Sequence, residues 1–231
     1  MDHCPPPDSM PVEPLSFSAQ GFRLRHLFPT PLLMAPVNDA PRLNSQLRSA
    51  ILARAGLSEG VQRSNDGGWQ SRDDFWSWSG PAGGALLEGA TQLVNQVTGL
   101  KTADGDARPG LPNWRSNAWA NVNAGGDGNH PHHHPGAFWS GVYWVDAGDS
   151  VAEDGGPAGG EFEIHDPRGI LPGFFAPQLR MAIPGCLSAG LTDYITPQTG
   201  MMIIFPAWLV HAVRRYRGWR PRISVAFNFS V

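Results

Sequence analysis

Four of the chain's eight histidines fall in one heptapeptide, His130-Pro131-His132-His133-His134-Pro135-Gly136. Neutral imidazole is the commonest protein ligand for iron, zinc, copper and nickel. On extended backbone, residues two apart point to the same face, so His132 and His134 form a pair. His211 lies far along the chain and can close a site from another strand. Beyond it comes Arg222-Ile223-Ser224, whose outer members again share a face. A guanidinium there can grip a carboxylate through two parallel hydrogen bonds. The spacing therefore offers a metal site with a seat for an organic acid beside it.

Each feature also has a plainer reading. Histidine runs occur in loops without a specific role, and a single buried histidine such as His211 often serves only the core. The cluster is internal, flanked by proline and followed by an apolar strand pattern, which sets it apart from a tag. Arg214, Arg215, Arg217 and Arg220 read as a solvated basic face. Arg222 opens the apolar run Ile223 to Phe227 and is the one of the five expected to point inward. A buried guanidinium needs an anionic partner.

These residues must be positioned by short strands. Glycine and proline together make 50 of 231 residues, well above the usual share of about 12%. Strands are expected at Ser116–Asn123, Ala137–Val145, Gly160–His165, Gln178–Ile183, Met201–Phe205, His211–Tyr216 and Arg222–Phe229, separated by turn-forming residues. The N-terminal half reads differently. Phe22–Leu33 looks extended, with Pro29 and Pro31 limiting it to an edge. Leu43, Leu47, Ala50, Ile51 and Ala55 recur at helical spacing after Asp39-Ala40-Pro41, and a second helix is expected near Gly84–Thr98. Helices followed by many short strands fit a mainly β, cupin-like jelly roll (a double-stranded β-helix), with the helices packed on one sheet. Residues 1–15 read as a flexible Pro-rich tail, and 16–231 as one domain.

A formal charge of −3 gives no drive toward nucleic acid or anionic membrane, and a nucleic-acid role would rest on the arginine cluster alone. There is no apolar stretch long enough to span a bilayer and no signal-peptide pattern. The two cysteines, Cys4 and Cys186, are not expected to pair, because Cys4 sits in the tail. A cytoplasmic protein is expected, with a homodimer left open.

The motifs resemble the iron(II)- and 2-oxoglutarate-dependent oxygenase superfamily, in particular its small bacterial and phage branch. The matching stretches are Trp119-Ala120-Asn121-Val122-Asn123, Pro131 to Gly136, Ser140 to Trp144, Asp166-Pro167-Arg168, Phe205 to His211 and Arg222 to Asn228. Ser64-Asn65 and Gly67 to Ser71 resemble the branch's N-terminal half. The resemblance implies Fe(II), 2-oxoglutarate as cosubstrate and molecular oxygen. It implies that Arg222 holds the distal carboxylate of 2-oxoglutarate, that Ser224 assists, and that Asn121, Asn123 and Tyr143 add hydrogen bonds. The superfamily at large holds iron with His-x-Asp/Glu and a distal histidine, whereas this chain has His132-x-His134. Three ligand sets stay open: His132, His134 and His211; two histidines with Asp166 or Glu161; or a near pair shifted to His130 and His132.

The expected activity is hydroxylation of a small-molecule or peptide substrate. One rival is a cupin-like three-histidine dioxygenase that does not use 2-oxoglutarate and would not need Arg222-x-Ser224. Another is a non-enzymatic jelly-roll binding module, which leaves the histidine cluster unexplained. Trp139 and Trp144 have opposite parity, so one of them can face the cavity. Gly169–Gln198 is expected to be a lid or a long connection.

Overall fold

The structure is a computed structural model that describes residues 23–183 and 190–231. The Pro-rich tail and both cysteines lie outside the described residues. In chain order the elements are β1 (Leu33–Pro36), α1 (Ala40–Ala55), β2 (Asn65–Asp66), β3 (Trp69–Gln70), α2 (Phe75–Trp78), α3 (Gly80–Gln96), β4 (Leu100–Lys101) and β5 (Ala107–Arg108). The barrel strands follow: β6 (Arg115–Asn123), β7 (Gly128–His132), β8 (Trp139–Asp146) and β9 (Phe162–His165). After α4 (Leu171–Phe175) come β10 (Thr192–Ile195), β11 (Met201–Pro206), β12 (His211–Val213) and β13 (Arg222–Ser230). A six-stranded sheet has the order β1-β11-β8-β13-β6-β3, and a five-stranded sheet the order β10-β9-β12-β7-β2. Mainly antiparallel strands in two facing sheets, with helices against the larger one, make the jelly roll expected from the sequence.

The large sheet is covered on both faces, which explains why β8 is buried along nearly its whole length. On β13 the odd positions Ile223, Val225, Phe227 and Phe229 enter one core with Leu47 and Ile51 of α1 and Leu86, Ala90 and Val94 of α3. The even positions, Arg222 to Asn228, face the other sheet. A second core fills that space: Val142, Trp144, Ile203 and Phe205 from the large sheet meet Phe162 and Ile195 from the small one. Gly141 permits the closest approach within the large sheet. A Cβ there would lie 2.5 Å from the Phe227 ring and 2.7 Å from the Ile203 carbonyl.

Several boundaries differ from the expected ones. The first strand is Leu33–Pro36, not the Pro-broken stretch before it, because only these residues register against β11. The second helix starts at Gly80, with Pro81 in its first turn. No strand forms at 178–183; β9 pairs instead with Thr192–Ile195. The histidine cluster ends a strand, β7, rather than opening one. The segment 169–198 carries α4 and β10, and its described parts line a cavity of about 540 Å³ with Leu24, Phe28 and Leu209.

Candidate functional site

His132 ends β7 and pairs directly across from His211, the first residue of β12. His134 lies just past the strand, where its backbone N–H donates to the Ala207 carbonyl at 2.9 Å. One nitrogen from each of the three rings lies within 4.8 Å of the others. His132 Nδ1 lies 2.7 Å from the His130 carbonyl, and His211 Nδ1 lies 2.9 Å from the Leu209 carbonyl. Donation to those carbonyls puts the proton on Nδ1 and leaves the Nε2 lone pair free for a metal. Ser64 Oγ sits 3.3 Å from His132 Nε2. Phe162 stacks on His211 at 5.0 Å, Phe205 meets it edge-on at 4.8 Å, and Trp119 lies 5.5 Å from the His134 ring.

Burial, followed by the neighbouring imidazoles, pushes His134 down to about 4. Burial also pushes His211 down to about 3, and the charge of His132 adds to this. His132 shifts the same way, chiefly through burial. Three neutral imidazoles on one spot are a donor set for a divalent transition ion. The other ligand candidates are placed elsewhere. His130 is exposed. Asp166 is occupied by Arg168, through its backbone N–H and guanidinium, and by the Gly190 N–H. Glu161 is not part of the histidine cluster; its charge instead favours the protonated form of Arg222.

Arg222 is 2% exposed. Burial lowers its pKa to about 10. Its Nε has no hydrogen-bond partner, and among the described residues no carboxylate pairs with the guanidinium. Register puts Asn123 opposite Arg222 and Asn121 opposite Ser224 on β6, with Trp144 beside Ser224 on β8. Trp144 Nε1 and Asn123 Oδ1 are likewise buried and unpartnered. The two unsatisfied donors, Arg222 Nε and Trp144 Nε1, suit a carboxylate of a bound acid, while Asn123 Oδ1 can only accept. Arg222 lies four positions from Ala226, which pairs with Trp119 beside His134. That is about 13 Å of strand rise.

Tyr143 does not belong to this group. Its neighbour Met202 and its partner Val225 both lie in the helix-side core. Its hydroxyl donates to Asn44 Oδ1 on α1 at 2.6 Å. Odd parity on β8 places it on the wrong face, and burial pushes its hydroxyl up to about 12. Trp144, one residue on, faces the site instead. Asn228 is on a central strand rather than an edge, where it accepts from Ser140 at 2.7 Å. On the other side of the histidines a cavity of about 700 Å³ opens, lined by Arg63, Gln70, Arg72, Asn117 and Asn228 among others. The first three of these were not foreseen; their segment carries turn residues but no spacing that marks a site.

Residues 117–228 match the family model described as "Putative 2OG-Fe(II) oxygenase". Among solved structures, a prolyl-4-hydroxylase of Pseudomonas putida matches with 13% identity and a TM-score of 0.56, over 86% of this chain and 91% of that one. A prolyl hydroxylase of Trichoplax adhaerens, in complex with a peptide fragment of a hypoxia inducible factor, matches with 11% identity and a TM-score of 0.58, over 86% and 83%. HygX of Streptomyces hygroscopicus, with nickel and 2-oxoglutarate bound, matches with 13% identity and a TM-score of 0.53, over 87% and 82%. No curated protein matches the sequence.

Proposed function

We propose, from the 2OG-Fe(II) oxygenase family model that matches residues 117–228, that the chain is such an oxygenase in which His132, His134 and His211 hold iron while Arg222 and Ser224 seat 2-oxoglutarate. The observation that carries this reading is the buried, unpaired Arg222 on the inward face of the sheet, on the same strand as Ala226, whose partner Trp119 lies against His134. When bound, iron with 2-oxoglutarate and oxygen supplies the oxidising power to attack an unactivated C–H bond. The chain's part is positional. Neutral imidazoles leave the ion's full charge to attract an anionic chelator. Arg222 fixes the distal carboxylate with a two-pronged hydrogen bond, and Ser224 and the Trp144 N–H donate from the same face. Phe162 and Phe205 cover His211 with apolar surface and limit water there. Hydroxylation of a small molecule or peptide is the outcome proposed. Related folds hold a peptide in one case and hygromycin B in another. A three-histidine dioxygenase without 2-oxoglutarate leaves Arg222 without a purpose.

Anaerobic titration of metal and then 2-oxoglutarate, followed by visible absorbance and calorimetry, tests the assignment. A charge-assisted bond of roughly 1.5–3 kcal/mol corresponds to about a ten- to hundredfold loss of 2-oxoglutarate affinity in Arg222→Ala. Metal affinity should stay near wild type, which also reports that the barrel has folded. Arg222→Lys keeps the charge but loses the fork, and should bind poorly as well. Unchanged affinity in both variants would remove the cosubstrate role from Arg222.

A further inference from the structure

Resting on the oxygenase reading, we propose that the prime substrate is a small molecule bearing a carboxylate or phosphate, which Arg63 and Arg72 bind at the mouth of the metal site. The cavity of about 700 Å³ beside His132 and His134 is the size of a small-ligand pocket. Its mouth is spanned by one stretch of chain that crosses from the small sheet to the large one: β2 pairs with β7, and β3 with β6. Arg63 and Arg72 sit at either end of that crossing.

Both arginines stand on anchored backbone. The Arg63 N–H donates to Asn65 Oδ1 at 2.7 Å. Next to it, the Ser64 carbonyl accepts the His130 N–H at 2.8 Å, which ties this end to the metal-bearing strand. At the other end Ser71 exchanges two bonds with Ala120 of β6, at 2.9 and 3.0 Å, and its hydroxyl donates to the Arg72 carbonyl at 2.7 Å. Yet neither guanidinium has an ion-pair partner among the described residues. Arg48, Arg54, Arg215, Arg217 and Arg220 each have one; Arg42 and Arg108 do not, so what sets Arg63 and Arg72 apart is their shared place in the cavity lining. Asp73, the acid in the lining, accepts from Asn117 at 3.4 Å. Two free cations against one acid leave the lining positive, and the dianionic 2-oxoglutarate offsets the charge of a bound divalent ion.

A second observation points to a ligand. Gln70 is 6% exposed, lines the same cavity and has an unpartnered Oε1. A buried amide in that condition lacks a hydrogen-bonding group of the occupant. Gln70, Asn117 and Asn228 thus face the polar body of the molecule while the arginines take its charge. The anion of the substrate is thereby held apart from Arg222, so it does not compete with 2-oxoglutarate for that seat.

The test uses protein loaded with Ni(II) and 2-oxoglutarate, which binds without turnover. Calorimetry is run with the twenty free L-amino acids against their carboxamides, and with glycerol 3-phosphate against glycerol. An acid that binds at least tenfold more tightly than its neutral twin is expected, and the arm in which it appears assigns carboxylate or phosphate. The Arg63→Ala/Arg72→Ala variant should lose that preference while keeping wild-type affinity for Ni(II) and 2-oxoglutarate. The proposal is overturned if no anionic probe binds, if acids and neutral twins bind alike, or if the double variant keeps the preference. Failure of 2-oxoglutarate to bind the wild type would instead defeat the oxygenase assignment, and the two failures are read in separate titrations.

Discussion

At the scale of single residues, the ligand question turns on what each candidate already does. His134 makes no side-chain hydrogen bond among the described residues, whereas both Asp166 oxygens are taken by Arg168 and Gly190. His134→Ala is therefore expected to lose stoichiometric metal, and Asp166→Ala to keep it, measured by equilibrium dialysis with metal analysis. A second pair separates the two faces of β8. Tyr143→Phe should leave 2-oxoglutarate affinity unchanged and lower stability by about 0.5–1.5 kcal/mol, through the lost bond to Asn44. Trp144→Phe should weaken 2-oxoglutarate binding by a similar free energy, about two- to tenfold. The sequence made Arg222 and Ser224 legible because spacing of two within β13 fixes a shared face, whereas His132 and His134 come together across the end of β7, where the His134 N–H bonds to the Ala207 carbonyl. It misplaced Tyr143 because a face on one strand acquires meaning only from its register with the next. The arginines at 214, 215, 217 and 220 were correctly read as a surface set, and the last three pair there with Asp66, Asp154 and Asp146.

Among the elements, the large sheet is constrained by what lies on either side of it. Phe227 is fully buried, and its ring lies over the bare Cα of Gly141. Gly141→Ala is expected to destabilise the fold by about 1–3 kcal/mol, read as a shift in urea midpoint without a change of slope. Most strands and both long helices were visible in the periodicity of their apolar residues. The exceptions share a cause. β2, β3, β4, β5, β7 and β10 are two to five residues long, and partner strands rather than their own pattern define them. The apolar alternation at Leu179 and Met181 forms no strand among the described residues; both side chains are exposed.

For the whole molecule, the buried imidazoles link metal binding, folding and pH. The folded values of His134, about 4, and His211, about 3, lie below the ordinary 6.5. The unfolded chain therefore takes up protons first as pH falls. Stability of the metal-free protein is full above pH about 6.5 and is lost as pH drops toward the folded values. Thermal denaturation of stripped protein between pH 7 and 4.5, above the main carboxylate range, should show a falling midpoint. His211→Ala should flatten that slope. The family match begins at residue 117 and encloses all three histidines and Arg222, whereas Arg63, Gln70 and Arg72 lie before it. On the two proposals made above, reactivity and choice of target fall in separate stretches of one chain. A chimera that exchanges only residues 58–74 should redirect what is oxidised while inheriting the same iron and the same acid.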